Sequence, residues 1–253
     1  MLGTIAYSEH TVFNDFKQLF DLKGKKVLEI GGALDSDIIL DSGVKEWVSV
    51  DPLNKNLDNG IIKRIKGIGS SISRESEYFD YVFSSNAFEH ITDLKETIQE
   101  CKRLLKKSGA LYSHFGPIWS APDGHHLDIE IEGEITDFST DYILPHWIHL
   151  TYSQEEIREM LSKRYRIKDV ENILQAIFKS DWLNRLHFED YIDIFKESGL
   201  RIAKIETTEE IDYPFIYPNY GIEEVTIQEK LNKFHEENNR NYKCRDMLVV
   251  LVK

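Results

Sequence analysis

Between Val27 and Ser113 short runs of strand-forming residues alternate with helix-patterned stretches, and this alternation restricts the possible fold more than any other feature of the chain. Val27-Leu28-Glu29-Ile30 ends at Gly31-Gly32, and Trp47-Val48-Ser49-Val50 closes at Asp51-Pro52. Ile61, Ile62 and Ile65 mark a weaker third run; Asp80-Tyr81-Val82-Phe83 stops at Ser84-Ser85-Asn86, and Ala110-Leu111-Tyr112-Ser113 follows. A brief helix around 35–42 separates the first pair of runs. A longer one spans about 93–107, with Leu94, Ile98, Cys101, Leu104 and Leu105 on one face and Ser108-Gly109 ending it. Strand and helix at this pitch predict right-handed βαβ units and a mostly parallel sheet covered on both faces.

Outside that stretch, Val12, Phe13, Phe16, Leu19 and Phe20 give a helix over about 8–21. Near the other end a helix at about 188–198, capped by Gly199, leads to a strand at 200–206, and Met247 to Val252 forms a last strand. After Gly116-Pro117 the rhythm breaks: residues 116–185 hold three of the four tryptophans, and Ser153 with Glu156 forms a capping-box pattern at a helix start. The stretch 209–243 reads as irregular. The expectation is an α/β protein with a Rossmann-like, seven-strand, mostly parallel sheet. It is one domain over 1–253, with substrate-cap insertions at about 116–185 and 209–243.

Such a chain, 253 residues long, has core enough to fold without disulfides or zinc. Cys101 and Cys244 stand alone, with no CxxC spacing, which points to a reducing compartment. A formal net charge of −13 argues against a binder of nucleic acid. The N-terminus lacks the pattern of a secretory signal, and the longest fully apolar run, Met247 to Val252, is far short of a membrane span. These features predict a soluble, cytoplasmic protein.

In open α/β sheets ligands bind beyond the carboxyl ends of the strands, which directs attention to Glu29-Ile30-Gly31-Gly32-Ala33-Leu34-Asp35. Paired glycines let backbone approach a ligand closely. Asp51, at the end of the second run, is placed to accept both hydroxyls of a ribose. A nicotinamide dinucleotide would use the same acid, but this loop has GGALDS in place of GxGxxG, and Glu29 and Asp35 beside it would repel a pyrophosphate. The same carboxylates suit a ligand with a cationic end and no phosphate, as S-adenosylmethionine has.

VLEIGGALD, VSVDP, FDYVFSSNAFEHI and ETIQECKRLLKKSGALYSHFGP together resemble class I S-adenosylmethionine-dependent methyltransferases, in the small-molecule branch. The resemblance covers about residues 25–117 and implies S-adenosyl-L-methionine as cofactor and an antiparallel last strand. It places Glu29, Gly31 and Gly32 at the methionine end and Asp51 on the ribose. Pro52, Leu53, Ile68 and Gly69 flank the adenine, and Ser84, Ser85 and Asn86 lie beneath the sulfonium. Ala33-Leu34 depart from the family, which has a further glycine and a small residue there.

Methyl transfer to an alcohol benefits from a base, and histidine suits neutral pH. His90, in the Glu89-His90 pair, reads more as a pocket-shaping residue than as a base. His114 follows the fifth run directly and is either a base or a hydrogen-bonded wall. His125 and His126, in the loop beginning Gly116-Pro117-Ile118-Trp119, are favoured as base or acceptor ligand. With Asp128 and Glu130 they offer the donor types of a cation site, but neighbouring histidines on extended chain point to opposite faces, so these four read as solvated loop polars and no metal is expected. His146, Trp147, His149 and Tyr152 read as packing aromatics; Tyr213, Tyr217 and Tyr220 read equally as a substrate wall or as a proline-stiffened turn.

The sequence therefore predicts methylation of a small acceptor, on oxygen. The acceptor suggested by resemblance is a sugar or nucleotide-linked precursor of surface polysaccharide. Methylation of nitrogen or of a phosphorus-linked oxygen, an NAD-dependent oxidoreductase and a non-catalytic nucleoside-binding module are the alternatives.

Overall fold

A computed structural model describes residues 8–32, 34–138, 141, 143–208, 220 and 224–253. Chain contacts divide it into two compact units. The first holds residues 1–116, 190–208 and 246–253, and the second holds 117–189 and 209–245. No described helix is long and apolar enough to cross a membrane.

The first unit begins with α1 (Glu9–Leu19), whose start is capped by the Ser8 side chain accepting from the Thr11 N–H. There follow β1 (Lys26–Ile30), α2 (Ser36–Asp41), β2 (Glu46–Asp51), β3 (Leu57–Asp58), β4 (Ile62–Lys66), β5 (Phe79–Ser85), α3 (Leu94–Leu104) and β6 (Leu105–Phe115). The second unit contributes β7 (Asp128–Ile131), β8 (Glu134–Asp137), α4 (Ile148–Thr151), α5 (Gln154–Leu161) and α6 (Ile167–Phe178). The chain returns through α7 (Phe188–Glu197) to β9 (Arg201–Thr207), visits α8 (Glu224–Asn238) in the second unit, and ends in β10 (Met247–Val252).

The first unit's sheet has the order β3-β4-β2-β1-β5-β6-β10-β9. Its pairs are parallel except at β3, which runs antiparallel to β4, and at β10, which runs antiparallel to both β6 and β9. The α/β fold with an antiparallel last strand is as expected. The chain builds outward from β1 to β4, then crosses back to β5, so the order reverses between β1 and β5. That switch point opens a crevice at the strands' carboxyl ends.

One face of the sheet is closed by α1. Phe13 meets Trp47 edge-on at 5.7 Å, and Phe16 lies 5.1 Å from Phe83 and 5.4 Å from Tyr112, all fully buried. Helical spacing of Val12, Phe13 and Phe16 is what makes that stripe.

The second unit has its own apolar cluster, in which Ile148, Ile157 and Leu161 pack with Val170, Ile173 and Ile177. The Ser153–Glu156 capping box is present with both of its bonds.

Four details differ from the sequence reading. The sheet has eight strands, because the two-residue β3 adds an edge. A β7–β8 hairpin, unforeseen, lies in the inserted segment. α3 stops at Leu104, and Leu105 pairs with Phe79 as the first residue of a strand in which a bulge carries Lys106 to Gly109. Here the Tyr78 N–H bonds the Leu104 carbonyl and Lys106 pairs with Asp80 at 2.8 Å, so strand contacts outcompete one more helical turn. The stretch read as irregular contains α8, which buries Ile227 and Leu231 beside Trp147 and Tyr242.

Between β1 and β2 lies a buried carboxylate. Glu29 is only 2% exposed; its Oε2 accepts from the Trp47 indole at 2.9 Å and its Oε1 from the Leu34 N–H at 3.1 Å. Burial pushes its pKa up to about 7, against the lowering effect of these donors. A carboxyl that is raised on folding detracts from stability as pH climbs from its ordinary value of 4.5 towards 7, where the unfolded chain has already released the proton. Trp47→Phe removes the stronger-placed donor and drives the group higher still. Urea denaturation should show a loss of about 1–3 kcal/mol at pH 8, shrinking at pH 5 where native Glu29 carries its proton. An equal loss at both pH values would mean that the indole supports the site by packing alone.

Candidate active site

The loop after β1 is held from three sides. Gly31 and Gly32 both have positive φ, +74° and +83°, which L side chains rarely adopt. A Cβ on Gly31 would lie 2.3 Å from the Ala87 Cβ, so that position is closed to any side chain. The Gly31 N–H bonds the Val50 carbonyl at 3.0 Å. Gly32 donates its N–H to Asp51 Oδ2 at 3.0 Å and accepts at its carbonyl from the Ser49 hydroxyl at 2.8 Å. Arg64, on β4, donates to the Leu34 carbonyl at 2.9 Å. Nothing in the sequence marks Ser49 or Arg64 for this role.

Asp51 joins two loops. Besides the Gly32 bond, its Oδ1 accepts from the Leu53 N–H at 2.6 Å, the self-closing turn that Asp favours after a strand. It stays part-exposed, with lone pairs left for a ligand. Beside it Leu53 is 80% exposed and, after β4, Ile68 is 53% exposed. Pro52 is exposed as well, so three of the four residues expected around the adenine offer open apolar surface. Gly69 differs: a Cβ there would meet Thr97 at 2.7 Å, so this glycine lets α3 pack closely.

Two other expectations are refined by the geometry. Glu29 has both its oxygens bonded within the protein, to Leu34 and Trp47, and through them it holds the loop. Leu34, the bulky departure from the family pattern, is wholly buried in the α1-side core and does not crowd the loop. Asp35 is exposed and pairs with His10 at 3.2 Å. Ala33 lies outside the described residues.

At the ends of β5 and β6 the polar groups are buried. The Ser84 hydroxyl is bonded to the Ile30 carbonyl at 2.8 Å. Asn86 takes the left-handed conformation, φ +46°, which Asn tolerates better than most, and its N–H bonds the His114 carbonyl. Ser85 and His114 stand opposite each other in the parallel pair. They are 4% and 1% exposed, and neither the Ser85 hydroxyl nor either ring nitrogen of His114 has a partner among the described residues. Burial lowers the His114 pKa to about 4, with Glu206 opposing weakly, so its imidazole is neutral at physiological pH. Glu89 is buried and accepts the Gly116 N–H at 3.1 Å, which fixes the exit from β6; His90, half-buried beside it, bonds the Ala87 carbonyl through its N–H.

The second unit overturns the reading of solvated loop histidines. His125 and His126 are 5% and 8% exposed, whereas Asp128 and Glu130 are exposed on β7. Pro117 to Leu127 folds inward because its polar groups are satisfied locally: Asp123 and Arg245 form a buried ion pair at 2.9 Å, and His149 bonds the Trp119 carbonyl at 2.7 Å. Burial pushes the His125 pKa well down, with neighbouring histidines adding to it, and His149 falls to about 3. His125 Nδ1 accepts the Leu127 N–H at 3.2 Å, which leaves its proton on Nε2 and removes the free lone pair a base needs. His126 lies against Phe138, rings 4.6 Å apart. His146 and Trp147 are buried, as expected of packing residues, and Tyr220 donates to the Ile143 carbonyl. Tyr213 and Tyr217 lie outside the described residues.

The family match falls within the first unit. A family profile described as a methyltransferase domain matches residues 31–113. The mitochondrial ubiquinone biosynthesis O-methyltransferase of Rattus norvegicus is 28% identical over 105 residues, 36% of this chain and 30% of the relative. The chain thus spans about a third of the length of the curated relatives it matches. Two crystal structures share the fold over nearly all of the chain. A Listeria monocytogenes protein assigned as an S-adenosylmethionine dependent methyltransferase has a TM-score of 0.54 at 14% identity, covering 97% of this chain and 99% of its own. An S-adenosylmethionine dependent methyltransferase from Mesorhizobium loti has a TM-score of 0.53 at 13% identity, covering 95% and 97%. With the glycine loop at the switch point and an acid at the end of β2, the chain matches the methyltransferase-domain profile over residues 31–113 and shares the fold of these two S-adenosylmethionine dependent methyltransferases.

Proposed function

We propose that this protein transfers the methyl group of S-adenosyl-L-methionine to an oxygen of a small acceptor. The observation that carries the reading is the Gly31-Gly32 loop bonded to Asp51 at the sheet's switch point, inside the segment matching the methyltransferase domain. In this assignment Asp51 takes the ribose hydroxyls, Pro52, Leu53 and Ile68 flank the adenine, and Gly31, Gly32, Ser84, Ser85 and Asn86 surround the methionine end. Glu29 and Gly69 act indirectly, through the loop and through α3.

The orphaned Ser85 and His114 favour oxygen as the acceptor atom. Leaving a buried polar group unpaired costs about 1–3 kcal/mol, and a hydroxyl acceptor relieves it by donating to one group and accepting from the other. The bond from acceptor oxygen to methyl carbon forms as the carbon–sulfur bond breaks, its electron pair staying on sulfur as a neutral thioether. The acceptor's proton becomes strongly acidic only as that bond forms. A weak base such as His114 therefore suffices, and its neutral form persists across the physiological range. His90, His125 and His126 are then secondary candidates, His125 hindered by its bond to Leu127.

The family match ends at residue 113, so the inserted segments at about 116–185 and 209–243 are assigned to acceptor choice. The acceptor to try first is a nucleotide-linked sugar of surface polysaccharide synthesis, on the resemblance of GPIWSAPDGHH; the relatives' names, as O-methyltransferases of ubiquinone biosynthesis, add other oxygen acceptors to the screen. A net charge of −13 supports a small acceptor over nucleic acid. Two buried cysteines that form no disulfide suit the cytoplasm.

Calorimetric titration with S-adenosylhomocysteine, with NAD as control, tests the cofactor assignment: binding of the former alone supports it, and binding of NAD alone overturns it. Asp51→Ala should weaken S-adenosylhomocysteine about tenfold or more, since a charge-assisted ribose bond is lost, and an unchanged affinity would remove Asp51 from the site. With an acceptor in hand, His114→Gln should lower turnover about 10²–10⁴-fold with cofactor affinity unchanged; full turnover would assign the base elsewhere.

A further inference from the structure

We propose that Glu9, on α1 and outside the segment shared with the methyltransferase domain, binds the ammonium group at the amino-acid end of the cofactor. This rests on the cofactor reading above and extends it to a residue that no sequence motif marks. The geometry begins at Gly32, where a Cβ would lie 2.9 Å from Glu9 Oε1 and 3.7 Å from Glu29 Oε1. The Glu9 carboxylate is therefore laid directly against the glycine that shapes the loop.

Four carboxylates surround that loop, and three are committed. Glu29 holds Leu34 and Trp47, Asp51 holds Gly32 and Leu53, and Asp35 pairs with His10. Glu9 has neither a hydrogen bond nor an ion pair among the described residues, although it is half-buried. Arg64, whose charge also acts on it, is turned to the Leu34 carbonyl. Burial raises the Glu9 pKa, and the Asp35 and Asp51 charges add to the effect, with His10 and Arg64 opposing.

Placing an acid in the first turn of α1 is favourable through the helix dipole, but that interaction is available to an exposed acid and does not require the burial. A cationic ligand does, since it supplies the missing opposite charge. Among the cofactor's groups the ammonium fits best. It donates three N–H bonds, whereas the sulfonium has none to donate and the ribose hydroxyls already have Asp51.

The test compares two ligands on the whole protein. S-adenosylhomocysteine has the amino-acid end; 5′-methylthioadenosine keeps the nucleoside and thioether and lacks it. Glu9→Gln, which preserves shape and removes charge, should weaken S-adenosylhomocysteine about tenfold or more and leave 5′-methylthioadenosine within twofold in calorimetric titration. Glu9→Asp, which keeps the charge but shortens the reach, should show the same selectivity to a smaller degree. Equal weakening of both ligands by Glu9→Gln would make Glu9 a ribose or loop contact and overturn the proposal, as would no weakening of either. If the unaltered protein binds neither ligand, the cofactor reading itself fails, an outcome distinct from a protein that binds both and ignores the substitution.

Discussion

The candidate site depends on a carboxylate that is bonded within the protein. Glu29 is buried between β1 and β2, and its two oxygens collect the Leu34 N–H and the Trp47 indole. A buried acid with fewer donors would neutralise itself or unfold its surroundings. With them it becomes a fixed post around which Gly31 to Leu34 must turn. The turn needs two residues with positive φ in succession, and Gly31 is further constrained by Ala87. Ser49 and Asp51 then hold Gly32 by its carbonyl and its N–H. The loop is thus built by β2 as much as by the glycines themselves.

That construction explains why the strand pattern was so readable and the site only partly so. Runs such as Trp47-Val48-Ser49-Val50 bury on both faces, and their spacing leaves one parallel arrangement. Asp51 was legible because it stands at a strand end beside a turn. Arg64 was not, because a partly buried arginine on a weak strand looks like any exposed one. Glu9 was hidden for a different reason: its place is set by how α1 packs through Phe13 and Phe16 on the sheet, a tertiary fact with no local signal.

The misreadings have equally specific causes. α8 repeats apolar residues at Ile227, Leu231 and Phe234, the spacing of a narrow helical stripe, but the charged residues between them masked it. The end of α3 was placed too late because Leu105 fits the helical face; strand pairing with Phe79 claimed it. The histidine-rich loop was read as solvated because polar residues usually are. Its burial becomes tolerable through a partner that arrives from more than a hundred residues away in the chain, Arg245 for Asp123. No short-range pattern announces such a pair.

Charge decides what the crevice at the end of β1 can accept. Glu9 and Asp51 both lie against Gly32 at its rim and Asp35 is close enough to act on Glu9, while Arg64, which also acts on Glu9, is bonded to backbone. A pyrophosphate brought there would meet carboxylates in a partly desolvated setting, where like-charge repulsion is stronger than in water. A sulfonium with an ammonium meets the opposite situation. In the proposed reaction, transfer of the methyl group would leave a thioether without the sulfonium charge, so attraction by the acidic residues would fall as the reaction completed. On that assignment a site arranged to hold positive charge would favour the methyl donor over its own by-product, by electrostatics alone and before any acceptor is considered.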